Sequence, residues 1–202
     1  MKDIYLYEDM PVLKNLLNIK DIKALDEAES GITYIKLLDI DRAIDSLYFD
    51  LQRIYDIHKH IFGNIYSWAG APRVTQIFKG ERVLGGDTVR YAEPDNIEKE
   101  CQAVLTAMNN VDWASLSVDE TATQFSQLIA RLWQVHPFRE GNTRTIITFA
   151  TQFAEAHAFP MDKTLLKEKS DYVRDALVKA SDGEYSEYGY LIQVFKSAIL
   201  RG

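Results

Sequence analysis

His136-Pro137-Phe138-Arg139-Glu140-Gly141-Asn142-Thr143-Arg144 gathers into nine residues the groups that proton transfer beside a phosphate requires. His136 is the nearby side chain whose ordinary pKa suits proton abstraction at neutral pH. Glu140 offers hard oxygens of the kind magnesium takes when it also holds phosphates. Gly141-Asn142 opens a helix, where unpaired backbone N–H groups and a residue without Cβ make an anion cradle. Arg144, on the first turn, adds a forked donor suited to phosphate. Turns of this composition also occur as plain solvated connectors, so the physics alone leaves both readings open. One effect opposes the base: the negative end of the preceding helix favours protonated His136 by about 0.3–1 kcal/mol.

The elements that must position this turn are amphipathic helices. Phe125, Leu128, Ile129, Leu132 and His136 share one helical face, so His136 ends a buried stripe and points inward. Pro137 stops that helix, and the next buries Ile146, Phe149, Ala150 and Phe153. Spacings of three and four predict helices near Leu13–Leu17 and over Ile22–Leu38, Ile44–Ile61, Asp95–Met108, Val118–Val135, Asn142–Ala156, Lys163–Ala180 and Ser186–Leu200. Asp45 or Ser46 is expected to cap the third of these, with Gly63-Asn64 ending it, and Ser117-Val118-Asp119-Glu120 is a capping box. Between Tyr66 and Pro94 glycine and proline concentrate. Val74–Phe78 and Thr88–Tyr91 flank a turn-rich middle, which predicts one irregular β-hairpin. The expected fold is one mainly α-helical domain over 1–202, with a core near 19–160 and C-terminal helices over 163–200.

Composition narrows the function. Apolar residues make up 47% of the 202, as in an ordinary globular chain. A formal charge of −7 argues against a dedicated nucleic-acid binder. The single cysteine, Cys101, excludes an internal disulfide and a cysteine-rich zinc site. No apolar run approaches a membrane span, and the start has no signal-peptide layout, so a cytoplasmic location without membrane insertion is expected.

The turn resembles the signature of Fic-domain proteins, His-x-Phe-x-(Asp/Glu)-Gly-Asn-Gly-Arg-x-x-Arg, at His136, Phe138, Glu140, Gly141, Asn142 and Arg144. Tyr66-Ser67-Trp68-Ala69-Gly70-Ala71-Pro72-Arg73 is similar to a second family segment, and Phe78-Lys79-Gly80 and Tyr91–Pro94 to the ends of its flap. The resemblance implies a Fic-type helical bundle with a β-hairpin flap, transferring AMP from ATP to a hydroxyl of a target protein. It implies His136 as the base, Glu140 as the Mg²⁺ ligand, and Gly141, Asn142, Thr143, Arg144 and Lys79 around the nucleotide. Phe138 becomes a core anchor, and Val74, Ile77, Phe78 and Tyr91 belong to the target dock, where a strand edge pairs with target main chain.

Two positions depart from the pattern. Thr143 replaces a glycine, where a Cβ threatens to crowd the phosphates or bar a positive φ, while its hydroxyl offers a donor. The Doc branch carries lysine there and transfers phosphoryl instead, so Doc-like phosphotransfer is the first alternative. Ile147 replaces the final arginine, which meets the outer phosphates in the family; together the two changes also fit a catalytically weakened protein-binding module. The family's inhibitory Ser/Thr-x-x-x-Glu-Gly/Asn signature does not occur, so restraint is expected from a separate small antitoxin or is unneeded.

Other residues carry plainer expectations. His58 and His60, two apart on a helix, diverge by about 200° and do not suit a shared metal. His157, Tyr66, Trp68 and Cys101 are expected to pack, and Arg82 and Arg90 to be solvated or to steer an acidic target.

Overall fold

The computed structural model describes residues 3–44 and 48–200. It contains helices α1 (Ile22–Leu38), α2 (Ile40–Ala43), α3 (Leu51–Phe62), α4 (Ile97–Asn109), α5 (Val118–Val135), α6 (Asn142–Ala156), α7 (Lys163–Glu168), α8 (Ser170–Lys179) and α9 (Gly189–Ala198). The expected mainly helical architecture is present. α5 is the central rod, packed on α4, α6, α8 and α9, while α6 lies on α3 and α3 on α1.

The α5 and α6 stripes are buried along their length, from Phe125 to Leu132 and from Ile146 to Phe153. Phe153 meets Phe49, Trp113, Phe125, Phe149 and Phe159, so rings from four separate segments interlock at one point. Ser117 and Glu120 form the capping box that starts α5.

Several boundaries differ from expectation. The Leu13–Leu17 segment is not helical: Leu13 pairs with Leu6 in an isolated bridge, and the Asn15 side chain bonds Leu13, Ile19 and the Ile19 N–H. A polar side chain that serves local backbone competes with helix formation in this way. α3 begins at Leu51 rather than Ile44, because Asp50 accepts from the Arg53 N–H at 3.0 Å; the expected caps Asp45 and Ser46 lie outside the described residues. Lys163–Ala180 is two helices that meet at Lys169, and the last helix begins at Gly189 after a tight turn at Gly183–Tyr185.

The predicted β-hairpin is also corrected. No β-strand occurs among the described residues, and 74–91 forms an irregular strap with a single 3-10 turn at Arg82–Leu84. Side chains take the backbone groups that a ladder would use. Arg73 donates to the Thr75 and Ala92 carbonyls, Gln76 to the Tyr91 carbonyl, and the Lys79 N–H donates to the Thr88 hydroxyl. Backbone pairing survives only at the tip, where Glu81 exchanges hydrogen bonds with Gly86 and Asp87.

The ring cluster predicts a contrast. Phe153→Ala is expected to lower stability by about 3–5 kcal/mol, and Phe78→Ala, on a side chain 77% exposed, by no more than about 0.5 kcal/mol. Urea denaturation followed by circular dichroism measures both.

Candidate active site

The turn between α5 and α6 is held from every side. Asn142 accepts from the Phe138 N–H at 2.9 Å and donates to the Phe138 carbonyl at 2.8 Å, which closes the loop on itself. These two bonds fix the Asn142 side chain against the loop, with its backbone N–H at the start of α6. Phe138 is fully buried, with its ring stacked 3.7 Å from that of His58.

His58 is the residue that sequence spacing missed. Its Nδ1 accepts from the Gly70 N–H at 2.9 Å, so the proton sits on Nε2, which donates to the Glu140 carbonyl at 3.0 Å. One buried imidazole therefore ties α3, the Trp68–Arg73 segment and the active turn together. His60 instead bonds Asp39, and no metal-ligating cluster forms among the described residues. The one available signal was proximity to a second histidine, which pointed to the wrong chemistry.

At His136 the chain turns left-handed, with φ 52°, a backbone that a residue with Cβ rarely adopts. The His136 ring is 3% exposed and stacks 4.0 Å from Tyr91. Its Nδ1 lies 3.3 Å from the Trp133 carbonyl, which only accepts, so Nδ1 carries the proton and Nε2 keeps its lone pair. Burial, then Lys79, push the imidazole pKa well below its ordinary value. The expected pull of the helix end toward the protonated form is outweighed. Arg73, 2% exposed, anchors the same corner by donating to the His136 carbonyl at 2.8 Å.

Beyond the turn, Gly141 takes φ 80°, and a Cβ there would stand 2.3 Å from the Phe62 ring, so only glycine fits. The N–H groups of Asn142, Thr143 and Arg144 begin α6 without helical acceptors. Glu140 Oε1 accepts from the Gly141 N–H at 3.0 Å, and Oε2 pairs with Lys79 Nζ at 3.1 Å. Burial raises this carboxyl, but Lys79 and the Gly141 N–H outweigh it and hold the pKa at about 2. Arg144 is gripped by Glu29 and by Thr33 of α1, with its guanidinium 4.7 Å from the Phe62 ring centroid. Glu140 and Arg144 face a cleft of about 780 Å³, walled by Leu25, Thr33, Tyr34 and Tyr66. Ile147 lines a neighbouring, mostly apolar groove with Leu37 and Val173.

Thr143 sits inside the first turn of α6, so no positive φ is asked of it and the feared strain is absent. Its hydroxyl accepts from the Trp133 indole at 2.9 Å, an anchor that glycine lacks. Of the expected dock residues, Val74 and Phe78 are exposed, whereas Ile77 and Tyr91 are buried and belong to the interior. Cys101 is buried, and its thiol is pushed up to about 12 by burial, then by Glu100 and Glu98. His157 stacks on Phe153 at 3.8 Å. Arg82 pairs with Asp175 instead of remaining free for an acidic target.

The sequence and the fold are both similar to those of known proteins. The profile of the Fic/DOC family matches residues 48–154, just over half of the chain. The chain belongs to the Fic/DOC family. Protein adenylyltransferase VbhT of Bartonella schoenbuchensis is 32% identical over 161 residues, which are 79% of this chain and 32% of that protein. The chain thus spans about a third of that relative's length. Probable protein adenylyltransferase y4lH of Sinorhizobium fredii is 29% identical over 189 residues, 91% of each chain. The crystal structure of BepC, a VirB-translocated effector of Bartonella tribocorum with bound AMPPNP, has the same fold, with a TM-score of 0.82 over 98% of this chain and 97% of that one at 22% identity.

The buried histidines make the fold sensitive to acid. Burial depresses the His58 pKa to about 3, so its stabilising contribution is complete above the unfolded value near 6.5 and falls away as pH drops toward 3. His136, depressed in the same direction, adds to the loss. Stability is expected to fall between pH 6.5 and 4, by up to about 1.4 kcal/mol per pH unit for each histidine. Urea midpoints measured across that range check it, and His58→Gln flattens the dependence.

Proposed function

We propose that the chain is one Fic domain over 1–202 that transfers AMP from ATP to a hydroxyl side chain of a target protein. The observation that carries this function is the buried His136 ring, fixed by Trp133 with Nε2 unprotonated, beside a helix start open to anions. Relatives in the family named as adenylyltransferases support it, and so does the AMPPNP held by BepC.

The target hydroxyl loses its proton to His136 Nε2 as its oxygen attacks the α-phosphorus. The bond from that phosphorus to the bridging oxygen breaks, and pyrophosphate leaves. A base so placed contributes typically about 10²–10⁴-fold, and positioning and charge stabilisation supply the rest. The backbone N–H groups of Asn142 and Thr143 cradle the phosphates, joined by that of Gly141 once it leaves Glu140, and Arg144 leaves Glu29 to meet their outer charge. Trp133 holds the Thr143 hydroxyl as an acceptor, which leaves the hydroxyl proton for a phosphate oxygen.

Glu140 fits a magnesium ligand: it is an ionised carboxylate, already facing a cation, the Lys79 ammonium on the strap. When bound, Mg²⁺ neutralises phosphate charge. Lys79 then turns from Glu140 to the nucleotide. The target lies along the strap against Val74 and Phe78, the exposed apolar side chains of the 74–91 segment. With no strand at that edge, the target is read by these side chains as well as by main chain. No described helix is long and apolar enough to cross a membrane, and the work is assigned to a cytoplasm, where ATP and magnesium are at hand. Restraint falls to a separate small antitoxin or is unneeded, since the sequence lacks the family's inhibitory signature.

Incubation with α-labelled ATP, Mg²⁺ and cell lysate is expected to label protein bands, and His136→Ala to reduce the label by at least about 10²-fold. Label from γ-labelled ATP in its place marks phosphoryl transfer, and label from neither refutes an enzymatic role. Glu29→Gln, which frees Arg144, is expected to tighten MgATP binding by about three- to tenfold in a calorimetric titration.

A further inference from the structure

The strap does not stand free: it is stapled to α8, outside the 48–154 stretch that the family profile matches. Two successive residues on the strap, Glu81 and Arg82, face two successive residues of opposite order on α8, Arg174 and Asp175. The inner pair is a fork. Arg174 Nη1 lies 2.9 Å from Glu81 Oε2, and Nη2 donates to Oε1 at 3.1 Å. The Glu81 side chain is 1% exposed and the Arg174 side chain 42% exposed, so a buried carboxylate receives its fork from an arginine that reaches in from the surface, a point of attachment for the strap. The outer pair, Arg82 with Asp175, lies at the surface.

Glu81 is also the hydrogen-bond acceptor of the Tyr91 hydroxyl, at 3.3 Å, and the Tyr91 ring stacks on His136. The same glutamate closes the tip of the strap by accepting from the Leu84 and Gly86 N–H groups. A continuous set of contacts therefore runs from α8 to the imidazole.

We propose that α8 sets both the seat of the strap and the orientation of the His136 ring, with Arg174, Glu81 and Tyr91 as positioning residues. The consequence for transfer rests on the role given to His136 above; the seat of the strap does not. The alternating charge order fixes the register, because a shift by one residue sets Glu81 against Asp175 or Arg82 against Arg174.

Hydrogen exchange on the full chain tests the seat. Arg174→Gln is expected to raise amide exchange over 79–88 by about tenfold or more, with α3 and α6 still protected. In a nitrogen-detected histidine spectrum of that variant, the His136 ring is expected to keep Nδ1 protonated, because the Trp133 carbonyl holds it, while its ring-nitrogen resonances shift as the stacked Tyr91 ring moves. MgATP affinity by calorimetry is expected to weaken by no more than a few-fold, because only Lys79 rides on the strap and the rest of the cradle lies on α6, while AMP transfer falls further, through kcat. Arg174→Lys, with the charge but not the fork, is expected to restore part of each effect. At the surface, Arg82→Asp and Asp175→Arg each loosen the strap, and the double variant restores protection. Unchanged strap exchange in Arg174→Gln, or a double variant no better protected than the singles, overturns the proposal. If Arg174→Gln fails to fold, the surface pair decides alone. A wild-type chain that transfers no AMP refutes the proposed activity and leaves the exchange and ring-nitrogen measurements to judge the staple.

Discussion

The corner of the molecule where chemistry is possible depends on one buried cation. Arg73 spends its guanidinium on backbone carbonyls: His136 and Val135 at the end of α5, Ala92 at the far end of the strap and Thr75 at the near end. No carboxylate bonds it directly: the charge is met by these carbonyl dipoles, including the negative end of the α5 helix, and by Gln76, with the Glu93 carboxylate acting from beyond Gln76. Burial lowers its pKa, the mark of a charge held away from water. The arrangement is worth its desolvation because a planar donor with five N–H groups can knit three chain segments at once, which an ammonium cannot.

That knot also explains why a histidine at a helix C-terminus stays neutral. A helix end acts through partial charges on its last carbonyls. Here Arg73 already occupies those of Val135 and His136, and the Trp133 carbonyl binds the imidazole through a proton that the neutral ring carries. What remains is burial beside Lys79, and both disfavour a second proton.

The sequence made the helices legible because apolar spacing of three and four is a property of the chain itself, and the structure buries the stripes it marked on α5 and α6. The active turn was legible for the same reason: His136 to Arg144 are contiguous. What could not be read was non-local. The strap alternates like a strand, but Arg73, Gln76 and Thr88 supply the bonds that a partner strand would, and no local pattern reports that substitution. His58 looked like half of an unlikely metal pair because its true partners, Gly70 and Glu140, are 12 and 82 residues away. Glu29 stands far from Arg144 in sequence and outside any signature, and only folding reveals its grip. Thr143 was misjudged by one dihedral, since the left-handed backbone belongs to Gly141, two positions earlier.

The contact beneath the cradle constrains how this turn can change over generations. Phe62 fills the volume where a side chain at Gly141 would stand, and the same ring carries the guanidinium of Arg144. Any larger residue at 141 demands a smaller one at 62, yet shrinking 62 strips Arg144 of its platform. Position 141 is thus closed twice over, by the ring that fills its space and by a left-handed backbone that a smaller residue at 62 does not relieve.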